Sequence, residues 1–428
     1  MRTINVGLIG LGTVGSGVVE IIRRHREDFR RRAGVDIALI RFADRDEERA
    51  AALGLPNGSF TTNAAEVIDD PAVDIVIELV GGTGVARTLV LDALRTGKSV
   101  VTANKALMAT HGQEVMDAAA AAGVDVAFEA SVGGGIPIIG PLKHCLVSNE
   151  LTSVVGIVNG TTNYMLTRMA DDGLDYATAL AEAQAKGFAE ADPTADVDGL
   201  DAAAKIAILA SIAFNSRVVI DEVPAEGIRS ITDADVAYAT EMGYAIKLLA
   251  IARRTAGGID IRVHPTMIPV SHPLASVSGV YNAIYVVGDS VGETMFFGEG
   301  AGSLPAASAV VGDVIEVARH IARGCLGLVG CTCNEELAIR DLADLETAYY
   351  VRVLVSDAPG VLAAVARVFG EHGVSLASVI QKTNEGPIAE IVYVTHQARE
   401  RDVRASLAEI EKLDVLESIG SVIRVEEI

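Results

Sequence analysis

The first third of the chain alternates apolar strand-like segments with amphipathic helical segments, and this alternation constrains the fold more than any other feature. We predict strands for "INVGLIG", "VDIALIRFAD", "VDIVIELVG", "KSVVTAN" and "VDVAFEAS", and helices for "TVGSGVVEIIRRH", "GVARTLVLDALRTG" and "LMATHGQEVMDAAAAAG". Apolar strands that alternate with helices form a parallel sheet covered on both faces. The pattern therefore predicts an α/β domain at the start of the chain.

A glycine fingerprint, "GLGTVG", follows the first predicted strand and opens the first predicted helix. In the G-x-G-x-x-G spacing the first glycine permits the tight turn, the second lets a pyrophosphate approach the backbone, and the third lets helix pack on strand. The free N–H groups of the helix N-terminus then favour the phosphates. The alternative is a tight turn in which the glycines serve only the backbone geometry and bind no ligand. The context predicts a Rossmann-type dinucleotide site formed by Gly10, Leu11, Gly12, Thr13, Val14 and Gly15.

The end of the second predicted strand, "FADRD", bears on which dinucleotide binds. Asp44 suits the adenosine ribose hydroxyls, which favours NAD, whereas Arg45 suits a 2′-phosphate, which favours NADP. The distance along the chain from Gly15 to Asp44 exceeds the usual ~20 residues, and the basic insert "RRHREDFRRR", which we interpret as a solvated face, accounts for the difference. The sequence leaves the choice between NAD and NADP open.

The formal charge of −22 at pH 7 excludes several classes of partner. Nucleic acids and anionic membrane surfaces require clustered positive charge, so we expect neither. A strand pattern begins at once in place of a signal peptide, and the longest uncharged early stretch is too short and glycine-rich to span a bilayer. We therefore expect a cytoplasmic protein.

The four cysteines are too few for a disulfide scaffold in a chain of 428 residues. Cys331 and Cys333 have no second cysteine pair and no histidine pair near them, which argues against zinc. The role of this pair is left open.

Composition and pattern divide the chain into four regions. Residues 1–130, together with a long predicted helix at about 301–325, form the dinucleotide-binding domain. Residues 131–300 form an α+β region, and residues 326–346 form a linker. Residues 347–428 read strand, helix, strand, strand, helix, strand, which is a ferredoxin-like unit of roughly 80 residues.

One lysine stands out in "GFAEADPTADVDGLDAAAK", which holds five carboxylates before Lys205. Asp201 and Lys205 are four residues apart, so on a helix they share a face. A surface ion pair is the alternative, but Lys205 is the only charged residue from Ala202 to Phe214, and a helix that is apolar on nearly every side is buried. Burial lowers the pKa of an ammonium group, whereas a neighbouring carboxylate raises it. We therefore predict that Lys205 exchanges a proton.

Proton exchange of this kind fits hydride transfer, because an alcohol that gives a hydride to nicotinamide must also lose its hydroxyl proton. The nearby carboxylates indicate a substrate with a positively charged amine. Glu190 is a natural partner for such an amine by charge, although "AEADP" is equally compatible with a solvated turn.

Four long motifs follow one another along the chain: "TANKALMATHG", "EASVGGGIPII", "GIVNGTTNYML" and "AKGFAEADPTADVDGLDAAAK". In this order they resemble homoserine dehydrogenase over essentially the whole chain. The segment "DAPGVLAAVARVFGEHGVSL" resembles an ACT domain. No aspartokinase-like segment precedes these motifs, so we expect the monofunctional form.

The resemblance implies that NAD or NADP serves the interconversion of L-homoserine and L-aspartate 4-semialdehyde, a step of threonine, methionine and isoleucine biosynthesis. It makes Lys205 the proton donor and acceptor, and it places Lys105 near the cofactor and the reacting carbon. It makes Glu190 and Asp201 ligands of homoserine and puts Asp196 in the same site. Further neighbours of cofactor and substrate are Asn159, Thr161, Thr162, Gly187 and Gly302. The resemblance also assigns substrate binding, catalysis and dimerisation to residues 131–300.

A monovalent cation, usually sodium, is also implied by the resemblance, with Glu129, Val132, Gly134 and Ile136 as its ligands. One carboxylate and several carbonyls of a glycine-rich turn are hard oxygen ligands, as such an ion requires. A simple glycine turn between domains is the alternative.

The segment Asp357 to Gly360 resembles the ligand loop of ACT domains, so feedback by L-threonine and a purely assembly-related ACT domain both stay open. We expect a homodimer or homotetramer. Two other functions also fit the sequence: a different NAD(P)-dependent amino-acid oxidoreductase, and a dinucleotide and amino-acid sensor without turnover.

Overall fold

The structure is a computed structural model, and it describes residues 2–328, 330–382 and 386–427. Its strands are β1 (Thr3–Ile9), β2 (Asp36–Ala43), β3 (Phe60–Thr61), β4 (Ile75–Glu78), β5 (Ser99–Thr102), β6 (Val126–Ala127), β7 (Leu151–Ile157), β8 (Tyr244–Thr255), β9 (Gly258–Pro269), β10 (Tyr281–Gly288), β11 (Gly292–Glu299), β12 (Glu346–Ser356), β13 (Leu376–Lys382), β14 (Ile388–Thr395), β15 (Ala398–Arg399) and β16 (Leu416–Val425).

The α-helices are α1 (Thr13–Ala33), α2 (Glu47–Ala52), α3 (Ala65–Ile68), α4 (Val85–Arg95), α5 (Lys105–Ala122), α6 (Gly160–Asp172), α7 (Tyr176–Ala185), α8 (Thr194–Val197), α9 (Leu200–Ala213), α10 (Asp233–Glu241), α11 (Ser303–Arg323), α12 (Val361–Glu371) and α13 (Glu400–Ile410). Among the described residues, no helix combines the length and the apolar character that a membrane crossing needs.

Packing divides the chain into two compact units. The first unit consists of Met1–Val154, Ala204–Glu222 and Asn282–Leu337, and the second consists of Val155–Ala203, Val223–Tyr281 and Ala338–Ile428. The two units are defined by compactness, whereas the domain ranges predicted from the sequence are defined by changes of sequence pattern. The units therefore do not test those ranges, which stay predictions.

The first unit contains a six-stranded parallel sheet in the order β3-β2-β1-β4-β5-β6. This is the strand order of the dinucleotide-binding α/β fold, in which the order reverses beside β1. The strands are buried because helices cover the sheet, which explains their nearly continuous apolar sequences. Helix α11 packs against α1 and contributes Val310, Val314 and Val317 to the core of this sheet.

Helix α1 is longer than the segment "TVGSGVVEIIRRH" predicts, since it continues through the basic insert to Ala33. The insert is not only a solvated face. Arg26 and Arg30 both donate hydrogen bonds to the carboxylate of Asp36 at the start of β2, with N–O distances of 2.8–3.1 Å. These contacts lower the pKa of Asp36, chiefly through the hydrogen bonds from Arg30 and Arg26.

The second unit contains neighbouring strands in the order β8-β9-β16-β12-β14-β13. Strand β12 pairs antiparallel with β14 and β16, and the chain order β12-α12-β13-β14-α13-β16 matches the ferredoxin-like pattern. Its core includes Val353, Val365, Phe369 and Ile391. The predicted fold class, with a Rossmann-type sheet, a middle α+β region and a C-terminal ferredoxin-like unit, is confirmed.

Candidate active site

The carboxyl ends of β1, β2, β4 and β5 meet at one edge of the parallel sheet, where ligands bind in open α/β folds. Gly10 follows β1, Asp44 follows β2 and Lys105 follows β5. The sheet therefore brings together predicted cofactor residues that lie far apart along the chain.

The glycine loop has the geometry that a bound pyrophosphate requires. Gly10 has a positive φ of 99°, and an added Cβ there would lie 2.7 Å from the backbone of Leu79. At Gly15 an added Cβ would overlap the carbonyl oxygen of Gly10. At Gly12, by contrast, the nearest atom to an added Cβ is Nη1 of Arg49 at 3.7 Å, so this face of the loop is open. Helix α1 begins at Thr13 with no side-chain cap on Gly12, which leaves its first N–H groups facing the opening. These residues fit a dinucleotide.

Asp44 lies beside this loop, and its carboxylate accepts hydrogen bonds from the N–H groups of Leu11 and Asp46, the latter at 3.0 Å. The carboxylate is thereby oriented next to the phosphate site, as a ribose ligand would be. Arg45 is exposed, and the guanidinium of Arg49 lies near Gly12. The structure thus places the carboxylate of Asp44 and the guanidinium of Arg49 near the glycine loop, and Arg45 directly follows Asp44 in the chain.

Glu78 is a residue that the sequence analysis missed. It is fully buried at the end of β4, where it accepts hydrogen bonds from the N–H groups of Val80 (2.7 Å) and Gly81 (3.0 Å) and from the hydroxyl of Thr102 (2.7 Å). Glu78 therefore shapes the loop after β4 at the same sheet edge. An acid at the end of the otherwise apolar strand sequence "IVIE" was the available signal.

Lys105 is the first residue of α5, and its neighbour Asn104 caps this helix by accepting a hydrogen bond from Leu107 N at 3.1 Å. The Asn104 side chain also donates to the carbonyl of Gly82 at 2.7 Å, so the loops after β4 and β5 are tied together. Lys105 is half-buried at this edge.

Gly302 caps the N-terminus of α11 and has a positive φ of 131°. The next residue, Ser303, donates a hydrogen bond from its hydroxyl to the carbonyl of Thr13 at 2.7 Å. The N-termini of α1 and α11 are therefore held side by side, which places Gly302 near the glycine loop.

A polar cluster in the second unit contains most of the predicted substrate residues. The side-chain amide of Asn159 donates to Asp196 at 2.8 Å and to Asp201 at 2.9 Å. The Thr161 hydroxyl donates to the carbonyl of Phe188 at 2.7 Å and contacts Asp196 at 3.2 Å. Thr162 donates its N–H to Asn159 at 2.9 Å, which caps α6. Asn159 thus joins two carboxylates that lie on different segments.

Two predicted residues are less tied to this cluster. The side chain of Glu190 is exposed, and its carbonyl accepts a hydrogen bond from Gln184 at 3.1 Å. Gly187 is exposed and has a positive φ of 75°, with no atom near an added Cβ. Both lie in the turn that connects α7 to the acidic segment.

Lys205 lies in α9, a helix of alanines, isoleucines and leucines that is buried over most of its length. Its side chain is 9% exposed, and Asp201, one turn earlier, is 6% exposed. Most of the lysine is therefore removed from bulk solvent, and it shares a helix face with a carboxylate that is itself joined to Asn159.

The predicted cation residues surround a tight turn. The carboxylate of Glu129 accepts hydrogen bonds from the N–H groups of Ile138 (2.5 Å), Ile139 (2.7 Å) and Gly140 (2.7 Å). Gly134 has a positive φ of 56°, and its added Cβ would overlap the carbonyl oxygen of Gly300. The oxygen donors fit a hard cation only in part, because three amides already bind the single carboxylate. Among the described residues, no group of three or more histidine, cysteine or acidic side chains can hold a metal ion.

Cys331 and Cys333 are both free thiols. The N–H of Cys333 donates to the sulfur of Cys331 at 3.4 Å, and the hydrogen bond between the two thiols lowers the pKa of Cys331 to about 6. Cys333 contacts the carbonyl of Ser211 in α9 at 3.6 Å.

Three protein-family models match the chain in succession. The homoserine dehydrogenase NAD-binding domain matches residues 10–129, the homoserine dehydrogenase domain matches residues 137–315, and the ACT domain matches residues 349–415. The resemblance inferred from the sequence motifs is confirmed.

Curated relatives and solved structures agree with these matches. Homoserine dehydrogenase from Synechocystis is 48% identical and that from Bacillus subtilis is 43% identical, and each alignment covers at least 99% of both chains. The crystal structure of a homoserine dehydrogenase from Thiobacillus denitrificans superimposes with a TM-score of 0.94 at 44% identity, covering 99% of this chain and 98% of that one. A hyperthermophilic archaeal homoserine dehydrogenase in complex with NADPH has a TM-score of 0.64 at 28% identity, covering 74% of this chain and 97% of that one.

Proposed function

Because this chain belongs to the homoserine dehydrogenase family, we propose that the cluster of Asn159, Asp196 and Asp201, together with Lys205, binds L-homoserine and performs its proton transfer. The chain is an NAD(P)-dependent oxidoreductase of amino-acid biosynthesis with a C-terminal ACT domain. The observation that carries the proposal is the buried lysine, one helical turn from a carboxylate that Asn159 links to a second carboxylate. We assign the reaction to threonine, methionine and isoleucine biosynthesis.

Each residue has a distinct task in this proposal. When bound, NAD(P) supplies the acceptor for the hydride of the hydroxyl carbon. The amine of Lys205 takes the hydroxyl proton during oxidation and returns it during reduction of the aldehyde. Asp196 and Asp201 bind the substrate ammonium, aided by Glu190, and Asn159 holds the two carboxylates in a defined orientation. Thr161, Thr162, Gly187 and Lys105 border the substrate and the cofactor.

The substrate ammonium should therefore be essential for efficient turnover. We expect L-homoserine to be oxidised with kcat/KM at least ~100-fold higher than 4-hydroxybutanoate, which has the same hydroxyl and carboxylate but lacks the amine, because the acids of the site would be left without a cation. The measurement is cofactor absorbance at 340 nm in steady state.

The same assay separates the two alternative functions. A different amino-acid oxidoreductase would prefer another hydroxy or amino acid in a substrate panel. A sensor without turnover would bind the dinucleotide but show no reduction that depends on homoserine. Either result contradicts the proposed reaction.

We propose that both NAD and NADP bind, with Asp44 favouring the first and Arg45 favouring the second. The support is the position of Asp44 beside the glycine loop and the exposed cation that follows it. Oxidation of homoserine with both cofactors in parallel measures the preference, and Arg45→Ala should reduce kcat/KM with NADP about ten-fold while leaving the value with NAD within two-fold. Equal losses with the two cofactors would refute this role of Arg45.

We also propose a sodium site at Glu129, Val132, Gly134 and Ile136, on family grounds. A bound monovalent cation would supply charge that stabilises this turn. Because the Glu129 carboxylate is largely occupied by amides, the backbone carbonyls would provide most of the ligands. Replacing sodium chloride by tetramethylammonium chloride should lower the melting temperature, and an unchanged value would exclude the site.

Threonine feedback through the ACT domain is the regulatory part of the proposal. Residues 357–360 precede the N-terminus of α12, whose free N–H groups suit an amino-acid carboxylate. We expect millimolar L-threonine to lower the rate of the full-length enzyme at least two-fold and Asp357→Ala, at an exposed position, to weaken this response.

Removal of residues 347–428 is a poor test, because β16 pairs with β9 and its loss would expose that strand. If threonine has no effect, the assembly role of the ACT domain is favoured.

A homodimer or homotetramer is proposed because β11 exposes Met295 and Phe297 along one face. Light scattering coupled to size-exclusion chromatography measures the mass, and a monomer at micromolar concentration contradicts it. The cytoplasmic location stays a prediction from the sequence.

A further inference from the structure

An ion network centred on a buried arginine connects the last strand of the chain to the middle of the second unit. The guanidinium of Arg424, in β16, donates two hydrogen bonds to the carboxylate of Glu226, at 2.7 and 2.9 Å. It also donates to Glu400, at 2.9 and 2.7 Å. The side chain of Arg424 is only 5% exposed. Burial disfavours its charged form, but the hydrogen bonds to Glu226 and Glu400 outweigh this and raise the pKa of Arg424.

Glu226 is tightly held by its backbone as well as by its carboxylate. Its N–H donates to the carbonyl of Val263 in β9 at 2.8 Å, and Val263 N–H donates to the carbonyl of Pro224 at 2.9 Å. The segment 224–226 is therefore fixed to β9 on one side, while Arg424 fixes the side chain of Glu226 from β16.

The residues after Glu226 lie directly against the acidic turn of the substrate site. An added Cβ on Gly227 would overlap the carbonyl oxygen of Val197 and approach Cα of Asp198, so the two backbones are in contact. The N–H of Ile228 donates to the carbonyl of Val197 at 2.8 Å. A glycine is required here because any side chain would push the two segments apart.

Val197 directly follows Asp196, which receives the hydrogen bonds of Asn159 and Thr161. A shift of the Glu226 backbone would therefore move the carboxylate that is proposed to bind the substrate ammonium. Positioning of this kind matters because a displacement of 1 Å at a binding group costs a large part of its interaction. The link is made entirely of hydrogen bonds and backbone contacts within the second unit.

From these contacts we infer that Arg424 and Glu226 are positioning residues for the amino-acid substrate: the C-terminal strand sets the place of Asp196 through the segment 226–228. The inference rests on the proposed binding of homoserine by the acidic cluster. The C-terminal domain then contributes to the affinity for the substrate even when it binds no ligand itself. A bidentate arginine suits this task, because its two parallel hydrogen bonds define a direction as well as a distance.

Steady-state kinetics of Arg424→Gln, Arg424→Lys and Glu226→Gln test the inference. We expect the KM for homoserine to rise about ten-fold in Arg424→Gln and Glu226→Gln, whereas the KM for the cofactor stays within two-fold. Arg424→Lys should recover part of the loss, since it keeps the charge but not the bidentate geometry. The double variant should be no worse than the worse single variant, because both remove the same link.

The matched control is Arg399→Gln, which removes an exposed ion pair with Glu346 in the same C-terminal domain. It should leave both KM values unchanged. If Arg424→Gln does not fold, Glu226→Gln carries the test, since Glu226 is 45% exposed and its loss removes only one partner of the network.

Hydrogen–deuterium exchange provides a readout that does not depend on turnover. Amides of residues 194–203 should exchange faster in Glu226→Gln and Arg424→Gln than in the wild type and in Arg399→Gln. Unchanged exchange in this segment, or parallel rises of both KM values, overturns the inference. Failure of the wild type to oxidise homoserine would instead refute the proposed function, and the exchange result would still decide whether Arg424 positions the turn.

Discussion

Replacing Lys205 by methionine should reduce kcat for homoserine oxidation about 10³-fold while the dissociation constant of the cofactor stays within two-fold. A positioned acid–base group contributes roughly 10²–10⁴-fold to proton transfer, and the methionine lacks an exchangeable proton. Methionine has nearly the length of lysine and is apolar, so the buried environment of α9 should accept it without a cavity. Steady-state kinetics and a fluorescence titration of the reduced cofactor provide the two measurements.

Two controls separate catalysis from folding. Lys412→Met changes an exposed lysine of the C-terminal unit and should retain wild-type activity. In Lys205→Ala, added primary amines should restore part of the rate in proportion to their concentration, because a small amine can occupy the space left by the side chain. A kcat of Lys205→Met within ten-fold of the wild type would falsify the assignment of Lys205 as the proton carrier.

Replacing Gly12 by valine should weaken dinucleotide binding at least 100-fold without unfolding the protein. The φ of Gly12 is −57°, which is not left-handed, and the nearest atom to an added Cβ is the mobile end of Arg49 at 3.7 Å. The valine methyl groups would instead occupy the space through which a pyrophosphate approaches the N-terminus of α1. The dissociation constant is measured by calorimetry, and the melting temperature without cofactor is measured alongside.

Gly370→Val is the matched control, since an added Cβ on Gly370 meets no atom within 4 Å and the residue lies in α12, in the C-terminal unit. Its cofactor affinity should be that of the wild type. Gly15→Val gives the opposite contrast, because its side chain would overlap the carbonyl of Gly10 and should destabilise the fold itself. Cofactor affinity that survives Gly12→Val would show that the dinucleotide does not bind over this loop.

Local sequence signals were sufficient wherever the physics is local. The tight turn at Gly10, Gly12 and Gly15 could be predicted because a strand, a turn and a helix start are encoded within a few residues. Lys205 could be recognised because a single charge in a long apolar helix conflicts with burial unless the charge has a use. The resemblance of the longer motifs to the family predicted the other site residues, and the roles of those residues are proposals.

Contacts between distant segments could not be predicted in the same way. Asn159 joins Asp196 and Asp201 across 37 and 42 residues of chain, and nothing in "GIVNGTTNY" specifies which acids its amide will meet. Glu78 offered a faint signal, since an acid in a buried strand requires donors, but the donors themselves come from the following loop and from β5.

The sequence by itself determined the parallel α/β domain, the glycine loop and the buried lysine, because hydrophobic periodicity, backbone freedom at glycine and the cost of burying a charge act over a few neighbouring residues. Only the tertiary structure decided that Arg424 forms hydrogen bonds with Glu226, 198 residues earlier, and that the backbone of Gly227 contacts the acidic turn. The reason is that hydrogen-bond partners in a folded chain are chosen by the packing of whole strands and helices, which no single segment specifies.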